Sequence, residues 1–280
     1  MRRSLRQTLS AVRAQILTLA GIQQAGFFVQ YGYAGSVPDR IPPYESVEAI
    51  FDDRLPTFES FVGEIANHLE RFRAFGREAG DPVWGRGMFP PLDGAAAYTI
   101  VRRSGARRIV EIGSGNSTTY LARAARDCEA PPRITCIDPQ PRRSLEGLGV
   151  TWERRVLCDR DAYLFDDMTP GDILFIDSSH IMMPGLDVDI QFNRIFPRLP
   201  SGTYVHLHDI FLPDDYPPRW RKRFYSEQNA LIGWILSGYF EVCFPGHYMM
   251  TRHPEVIDTY LSAFQPLTTR QSGSIWLRRA

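Results

Sequence analysis

Apolar positions recur at helical spacing through Leu9, Val12, Ile16, Leu19 and Ile22, which predicts a helix within residues 1–26. Tyr31 to Pro43 is rich in Gly, Tyr and Pro and reads as a loop. A second helical region runs from about Val47 to Phe75, interrupted at Pro56. Its buried stripe is Phe58, Phe61, Val62, Ile65, Leu69 and Phe72. The stripe is read as packing, and these helices as a cap or a dimer surface. Asp81 to Pro91, rich in Trp, Gly and Pro, is a connector that either closes over a site or is pinned by Trp84 and Phe89. Asp93 then precedes a helix from Ala95 to Arg103.

The pattern changes at Arg107. Short apolar runs alternate with helical stretches, the mark of an α/β fold with a mostly parallel sheet. Strands are expected at 108–112, 133–137, 152–157, 172–176 and 203–208, with two further strands at 240–245 and 274–278. A helix is expected from Asp187 to Leu199. The division expected is a helical cap and connector over residues 1–90 and a ligand-binding α/β domain over residues 91–280.

A chain of 280 residues, 44% hydrophobic, can bury a substantial core. Its formal net charge is +0, so the overall balance favours neither nucleic acid nor an anionic membrane as partner. Lys222 is the sole lysine; the preference for Arg is read as the codon bias of a GC-rich bacterial genome. Cys128, Cys136, Cys158 and Cys243 form no Cys-x-x-Cys pair, which disfavours a zinc or redox site and suits a reducing cytoplasm. No apolar run of about 18 residues suggests a membrane span. The start, Met-Arg-Arg followed by an amphipathic stretch to Phe28, lacks the apolar core of a signal peptide.

The chemistry-bearing pattern begins at Ile109-Val-Glu-Ile-Gly-Ser-Gly-Asn-Ser-Thr118. It reads as a strand, a glycine turn and a helix, which exposes backbone N–H groups to a ligand. Thr118 stands where a dinucleotide fingerprint has its third glycine, which argues against NAD or FAD. No Gly-Lys-Ser/Thr follows, which excludes a P-loop. Ile134-Thr-Cys-Ile-Asp138 is a second strand ending in a carboxylate, at the spacing that holds ribose hydroxyls. Together they fit an adenosine-containing ligand without a diphosphate. Asp177, Ser178, Ser179 and His180 end one later strand, and His206, His208 and Asp209 end the next. Asp177, His180, His208 and Asp209 are expected to converge beside the ligand. His206 is read as structural.

These motifs resemble class I S-adenosylmethionine-dependent methyltransferases. Ile176-Asp-Ser-Ser-His180, His206-Leu-His-Asp-Ile-Phe-Leu-Pro213, Asp138-Pro-Gln-Pro-Arg142 and Tyr225-Ser-Glu-Gln228 are similar to the branch called methyltransferase family 24. The resemblance covers roughly residues 83–280. It implies a Rossmann-like, doubly wound, mostly parallel seven-stranded sheet with an antiparallel final strand. It implies S-adenosylmethionine as cofactor, held by Glu111, Gly113, Ser114, Gly115, Asn116, Asp138, Pro139, Asp177 and Ser178. A polar residue after the third strand, Cys158 or Asp159, is implied at the adenine. His180 or His208 is the candidate base and Asp209 its partner.

Catechol-type relatives hold magnesium at the same two strand ends. Here His208-Asp209 replaces an Asp-Asn pair, which lowers the case for magnesium and leaves a divalent metal as the minor reading. Asp214 to Tyr225 reads as a substrate lid. Three functions are carried forward. The first is methyl transfer to a small-molecule oxygen or nitrogen acceptor. The second is a lyase that cyclises the cofactor to azetidine-2-carboxylate and releases methylthioadenosine. The third is a non-catalytic scaffold.

Overall fold

A computed structural model describes residues 5–27, 31–38, 40–85 and 88–280, with side chains of helical residues 5–8 left out. The reading of Met1 to Arg3, and Phe28, Asp39, Arg86 and Gly87 within the readings above, lie outside the described residues. The chain divides into two units, Met1–Ile41 with Pro217–Lys222, and Pro42–Tyr216 with Arg223–Ala280.

The first unit contains helix α1, Leu5–Leu19, which is shorter than the apolar periodicity. The chain turns at Gly21 with φ +67°, and the amide of Ala25 donates back to Oγ1 of Thr18 at 3.0 Å. The apolar face does not face inward: Leu9, Ile16 and Leu19 are each about 60% exposed.

The second unit is built on seven strands: β1 Arg108–Ile112, β2 Arg133–Ile137, β3 Thr151–Glu153, β4 Ile173–Ile176, β5 Tyr204–Leu207, β6 Phe240–Pro245 and β7 Ile275–Arg279. Their order is β3-β2-β1-β4-β5-β7-β6. All neighbours are parallel except β7, which is antiparallel to both β5 and β6. Helices α2 Glu45–Asp53, α3 Leu55–Ala66, α4 Leu69–Arg73, α5 Pro91–Ser104, α6 Asn116–Arg126, α7 Asp187–Ile190, α8 Glu227–Leu236, α9 Gly246–Arg252 and α10 Pro254–Leu261 accompany it. The central strands β1 and β4 are apolar in sequence because both sheet faces are covered. The sheet is therefore Rossmann-like, mostly parallel and seven-stranded, as its strand pattern predicts.

Three local differences have physical causes. The interruption expected at Pro56 falls at Arg54, between α2 and α3, and Pro56 occupies the first turn of α3, where its missing N–H costs nothing. The third strand stops at Glu153, because Arg155 turns back to bind Glu153 and Asp161 in the following segment. The helix expected over 187–199 is α-helical only to Ile190. It then widens to a π turn, Gln191–Ile195, and tightens over Phe196–Arg198, where Pro197 cannot donate.

Asp172, expected as the first residue of β4, instead precedes it as a staple. Its carboxylate accepts the amides of Arg107 and Arg108, both at 2.9 Å, and of Thr169 at 2.8 Å. That fixes the start of β1 against the start of β4, and so aligns their far ends. Phe58, Phe61, Val62, Ile65 and Phe72 are buried as the stripe predicts, and Leu69 is half-buried. The connector is anchored at its first half: Asp81 binds Arg123 and Arg126 of α6, each at 2.8 Å, and Trp84 stacks on Phe75.

Candidate functional site

Strand order reverses between β1 and β4, so the loops after their carboxyl ends part and leave a crevice. A cavity of about 400 Å³ lies there. It is lined by Gly113, Ser114, Gly115 and Asn116 from the turn after β1, by Asp138 and Pro139 after β2, and by Asp177 and Ser178 after β4. Eight of the ten residues expected at the cofactor thus share one cavity.

The turn works because of two close approaches. Gly113 has φ +78°, and a Cβ there would lie 1.9 Å from the carbonyl oxygen of Asp177. No other residue fits between the ends of β1 and β4. Asp138 then shapes the turn from β2. One carboxylate oxygen accepts the Ser114 amide at 2.6 Å and the Ser114 hydroxyl at 3.1 Å; the other accepts the Gln140 amide at 2.7 Å.

Two of the expected residues stand elsewhere. Glu111 is fully buried behind the turn and is not part of the lining. It accepts hydrogen bonds from the hydroxyls of Ser117 at 2.6 Å and Thr118 at 2.7 Å, and from the Cys136 thiol at 3.2 Å. Burial pushes its carboxyl up to about 7, against the pull of those donors. Thr118 accepts in turn from the Gly115 amide at 3.0 Å. The residue that breaks the dinucleotide fingerprint therefore ties the turn to the strand.

Asp159 also lies outside the cavity. It opens a 3-10 helix, Asp159–Phe165, on an exposed edge. The wall expected from Cys158 or Asp159 is formed instead by Val156 and Leu157, because the early end of β3 places the loop's first residues over the crevice.

Beside the cavity, four titratable groups meet at the ends of β4 and β5. His180 has φ +62° and Asp209 has φ +56°, an uncommon conformation for residues other than glycine. It turns both side chains back toward Asp177. Nε2 of His180 lies 3.4 Å from Asp177 and 3.5 Å from Asp209. Nδ1 of His208 lies 3.6 Å from Asp177 and 3.4 Å from Asp209. Behind them stand two more carboxylates. Glu227, fully buried at the start of α8, holds Nδ1 of His180 at 2.8 Å. Asp93, buried in α5, is 3.6 Å from Nε2 of His208, a nitrogen without a hydrogen-bond partner.

The electrostatics follow from this crowding. Burial opposes charge on both imidazoles. The carboxylates overcome it, raising His180 to about 10 and His208 well above its ordinary value. Burial would raise Asp177, but His208 and His180 hold it well below the usual carboxylate range. The surrounding carboxylates thus favour the protonated form of both imidazoles. Among the described residues, no group of three or more His, Cys, Asp or Glu is placed to hold a metal ion. His206 is buried, bound to Ser274 at 2.8 Å and stacked on Phe175 at 3.7 Å; burial holds it neutral, as its structural reading predicts.

Several lining residues were not assigned to the ligand individually, although their segments were singled out: Met88 and Phe89 in the connector, and Gln140 and Arg142 in the motif after β2; Arg143 lies just beyond that motif. Phe89 is buried and lies 5.1 Å from the His208 ring. The connector is thus both pinned and part of the wall. Asp214, expected in a lid, is tied down by Arg252 at 2.7 Å and His247 at 2.9 Å.

A seven-stranded sheet in this order, with β7 reversed and a ligand crevice at the β1–β4 divide, is the class I methyltransferase fold. Residues 110–210 match the family model described as a methyltransferase domain. No curated protein matches the sequence. Among solved structures, the chain is similar to an O-methyltransferase from Bacillus cereus in complex with SAH. That pair is 18% identical over 75% of this chain and 86% of that one, with a TM-score of 0.39. For the SAH-bound methyltransferase PaMTH1 of Podospora anserina the values are 14%, 91%, 99% and 0.44. For the O-methyltransferase TomG of Streptomyces achromogenes, in complex with SAM, they are 17%, 79%, 89% and 0.37. Likenesses this distant carry no weight beside the strand order itself.

Proposed function

We propose that the chain is an S-adenosylmethionine-dependent methyltransferase acting on an oxygen or nitrogen of a small molecule. One observation carries the reading. Gly113, Asp138 and Asp177, from three neighbouring parallel strands, open onto a single cavity whose size suits a nucleoside ligand. The residues present fit the cofactor. Gly113 and Gly115 keep the turn at the cavity wall free of side chains, and Asp138 stands where ribose hydroxyls are held. Val156 and Leu157 offer an apolar wall to adenine, and Asp177 a carboxylate beside the turn.

When bound, S-adenosylmethionine supplies a methyl group on a positively charged sulfur. The chain's own task is to place an acceptor atom in line with that methyl and to keep water away. Phe89 and Met88 form the apolar side of the cavity, which serves exclusion. Asp177 lines the polar side, and Asp209 and the two charged imidazoles stand against it beside the cavity. Since His180 and His208 hold their protons, their role in this reading is to donate and orient, fixing Asp177 and Asp209 toward the acceptor. An acceptor whose proton is already labile, such as a phenol or an acid, suits this site best. Four free cysteines, two of them buried, agree with a reducing cytoplasm.

Mass spectrometry after incubation with S-adenosylmethionine, with and without pooled small-molecule acceptors, tests the reading. A product heavier by one methyl group is expected in the presence of acceptors alone. Methylthioadenosine appearing without any acceptor would transfer the assignment to the cyclising lyase. No binding of the cofactor by calorimetry would remove both.

A further inference from the structure

The charge of the chain is even overall but not along its length. Residues 1–38 contain Arg2, Arg3, Arg6 and Arg13 and no Asp or Glu, whereas the whole chain has 32 of each sign. The same segment carries the largest run of exposed apolar side chains among the described residues. Leu9 is 61% exposed, Ile16 60%, Leu19 63% and Ile22 74%. In α1, Leu9, Val12, Ile16 and Leu19 follow one another at spacings of three and four, so they form one stripe. The half-buried positions of the helix, Ala11, Ala14, Leu17 and Thr18, lie on the other side. The segment's own fold therefore covers the weakly apolar face and leaves the strongly apolar one open. Beyond the helix, Phe27, Tyr31 and Tyr33 are also exposed.

An open apolar stripe of this kind needs a partner. A partner protein would be met by a face of either charge. Here every charge in the segment is positive, so the complementary surface is anionic, extended and able to accept apolar side chains. We propose that α1 lies on anionic lipid bilayers, with Leu9, Val12, Ile16 and Leu19 inserted among the acyl chains and arginines at the headgroups. Phe27, Tyr31 and Tyr33 sit where aromatic rings are favoured, at the boundary between headgroup and hydrocarbon. At about 1.5 Å per residue, α1 is roughly 22 Å long, which suits lying along a surface and not crossing it. No helix among the described residues is long and apolar enough to cross a membrane.

The test is co-sedimentation of the full chain with vesicles of phosphatidylcholine alone and of phosphatidylcholine mixed with phosphatidylglycerol. Binding to the anionic vesicles is expected to be at least about tenfold tighter, since each surface arginine contributes favourably. It should weaken in salt near 1 M, where screening acts within about 3 Å. Ile16→Glu is expected to abolish it, and Arg13→Glu to weaken it. The thermal midpoint should stay that of the parent in both, because both side chains are exposed. Equal retention on the two vesicle types, or none on either, overturns the proposal. So does light scattering that finds the parent chain a dimer and Ile16→Glu a monomer, which would make the stripe an interface between copies.

Discussion

Glu227 shows how one buried side chain sets the state of a site it does not line. Its carboxylate holds Nδ1 of His180 at 2.8 Å, and the amides of Ser226 and Glu227 bind the His180 carbonyl. Ring and backbone are therefore fixed together, in a conformation that costs energy. The His180 pKa of about 10 in the folded chain exceeds the ordinary 6.5. Stability from this pair is thus fully present below about 6.5 and is lost as pH rises through about 10. Glu227→Gln should lower the imidazole pKa, seen by NMR titration of the ring protons. It should destabilise the fold by about 2 kcal/mol at neutral pH, with the difference vanishing above about pH 10. Asp138 acts at the same scale on the cofactor side. Asp138→Ala removes the acceptor for the Ser114 amide and the candidate ribose ligand together. Calorimetry should show S-adenosylmethionine affinity reduced at least about tenfold, equivalent to about 1.4 kcal/mol. His180 and Asp138 were legible as candidate site residues because each follows an apolar run. Glu227 was legible as part of a motif, but not as the partner of a residue 47 positions away. Only the folded sheet brings them together.

At the scale of the element, the unit that matters is β1, its turn and α6. A dinucleotide fingerprint has a glycine where Thr118 stands, and the sequence shows that difference without its purpose. In the structure Thr118 joins strand, turn and helix: it donates to Glu111 and accepts from Gly115. Thr118→Gly should therefore not improve the turn. It leaves a buried carboxylate short of a donor and puts glycine in a helix, for a loss of about 2–4 kcal/mol in urea unfolding. The loss should depend on pH. Glu111 has a folded pKa of about 7, above its ordinary 4.5, so the folded chain holds that proton more tightly than the unfolded one. Stability is highest below about pH 4.5 and declines as pH rises through about 7. Removing Thr118 raises the folded pKa further, so the variant should lose more at about pH 8 than at about pH 5. The four strands β1, β2, β4 and β5 were read from largely apolar runs, which work when both faces are buried. The short β3 was overread because Trp152 to Leu157 is apolar at its ends, while the ion pairs of Arg155 that end the strand reach forward to Asp161. Glu111 and Asp159 were assigned to the ligand from motif position alone. Strand alternation turns the first inward, and the early end of β3 takes the second away.

On the scale of the whole molecule, the seven strands, the cavity and every side chain of the polar cluster belong to one unit, Pro42–Tyr216 with Arg223–Ala280. The helices α2 and α3 belong to it as well. Phe51 and Phe58 pack against Tyr248, and Phe61 against Phe244 of β6. Residues 45–73 are thus part of the structure that aligns the sheet, which the aromatic stripe revealed as packing without revealing its target. Helix α1 differs, because its stripe of Leu9, Val12, Ile16 and Leu19 is exposed. Two consequences separate cleanly. Removing residues 1–41 deletes no residue of the cavity wall and no member of the polar cluster. The shortened chain should bind S-adenosylmethionine with a dissociation constant within about twofold of the parent, a difference of about 0.4 kcal/mol. The same deletion removes the arginines and the apolar stripe at once, so retention on anionic vesicles should disappear. Calorimetry and co-sedimentation on this one variant read the two units independently. A loss of cofactor affinity would show that the first 41 residues complete the site, and persistent vesicle binding would place the lipid contact in the catalytic unit.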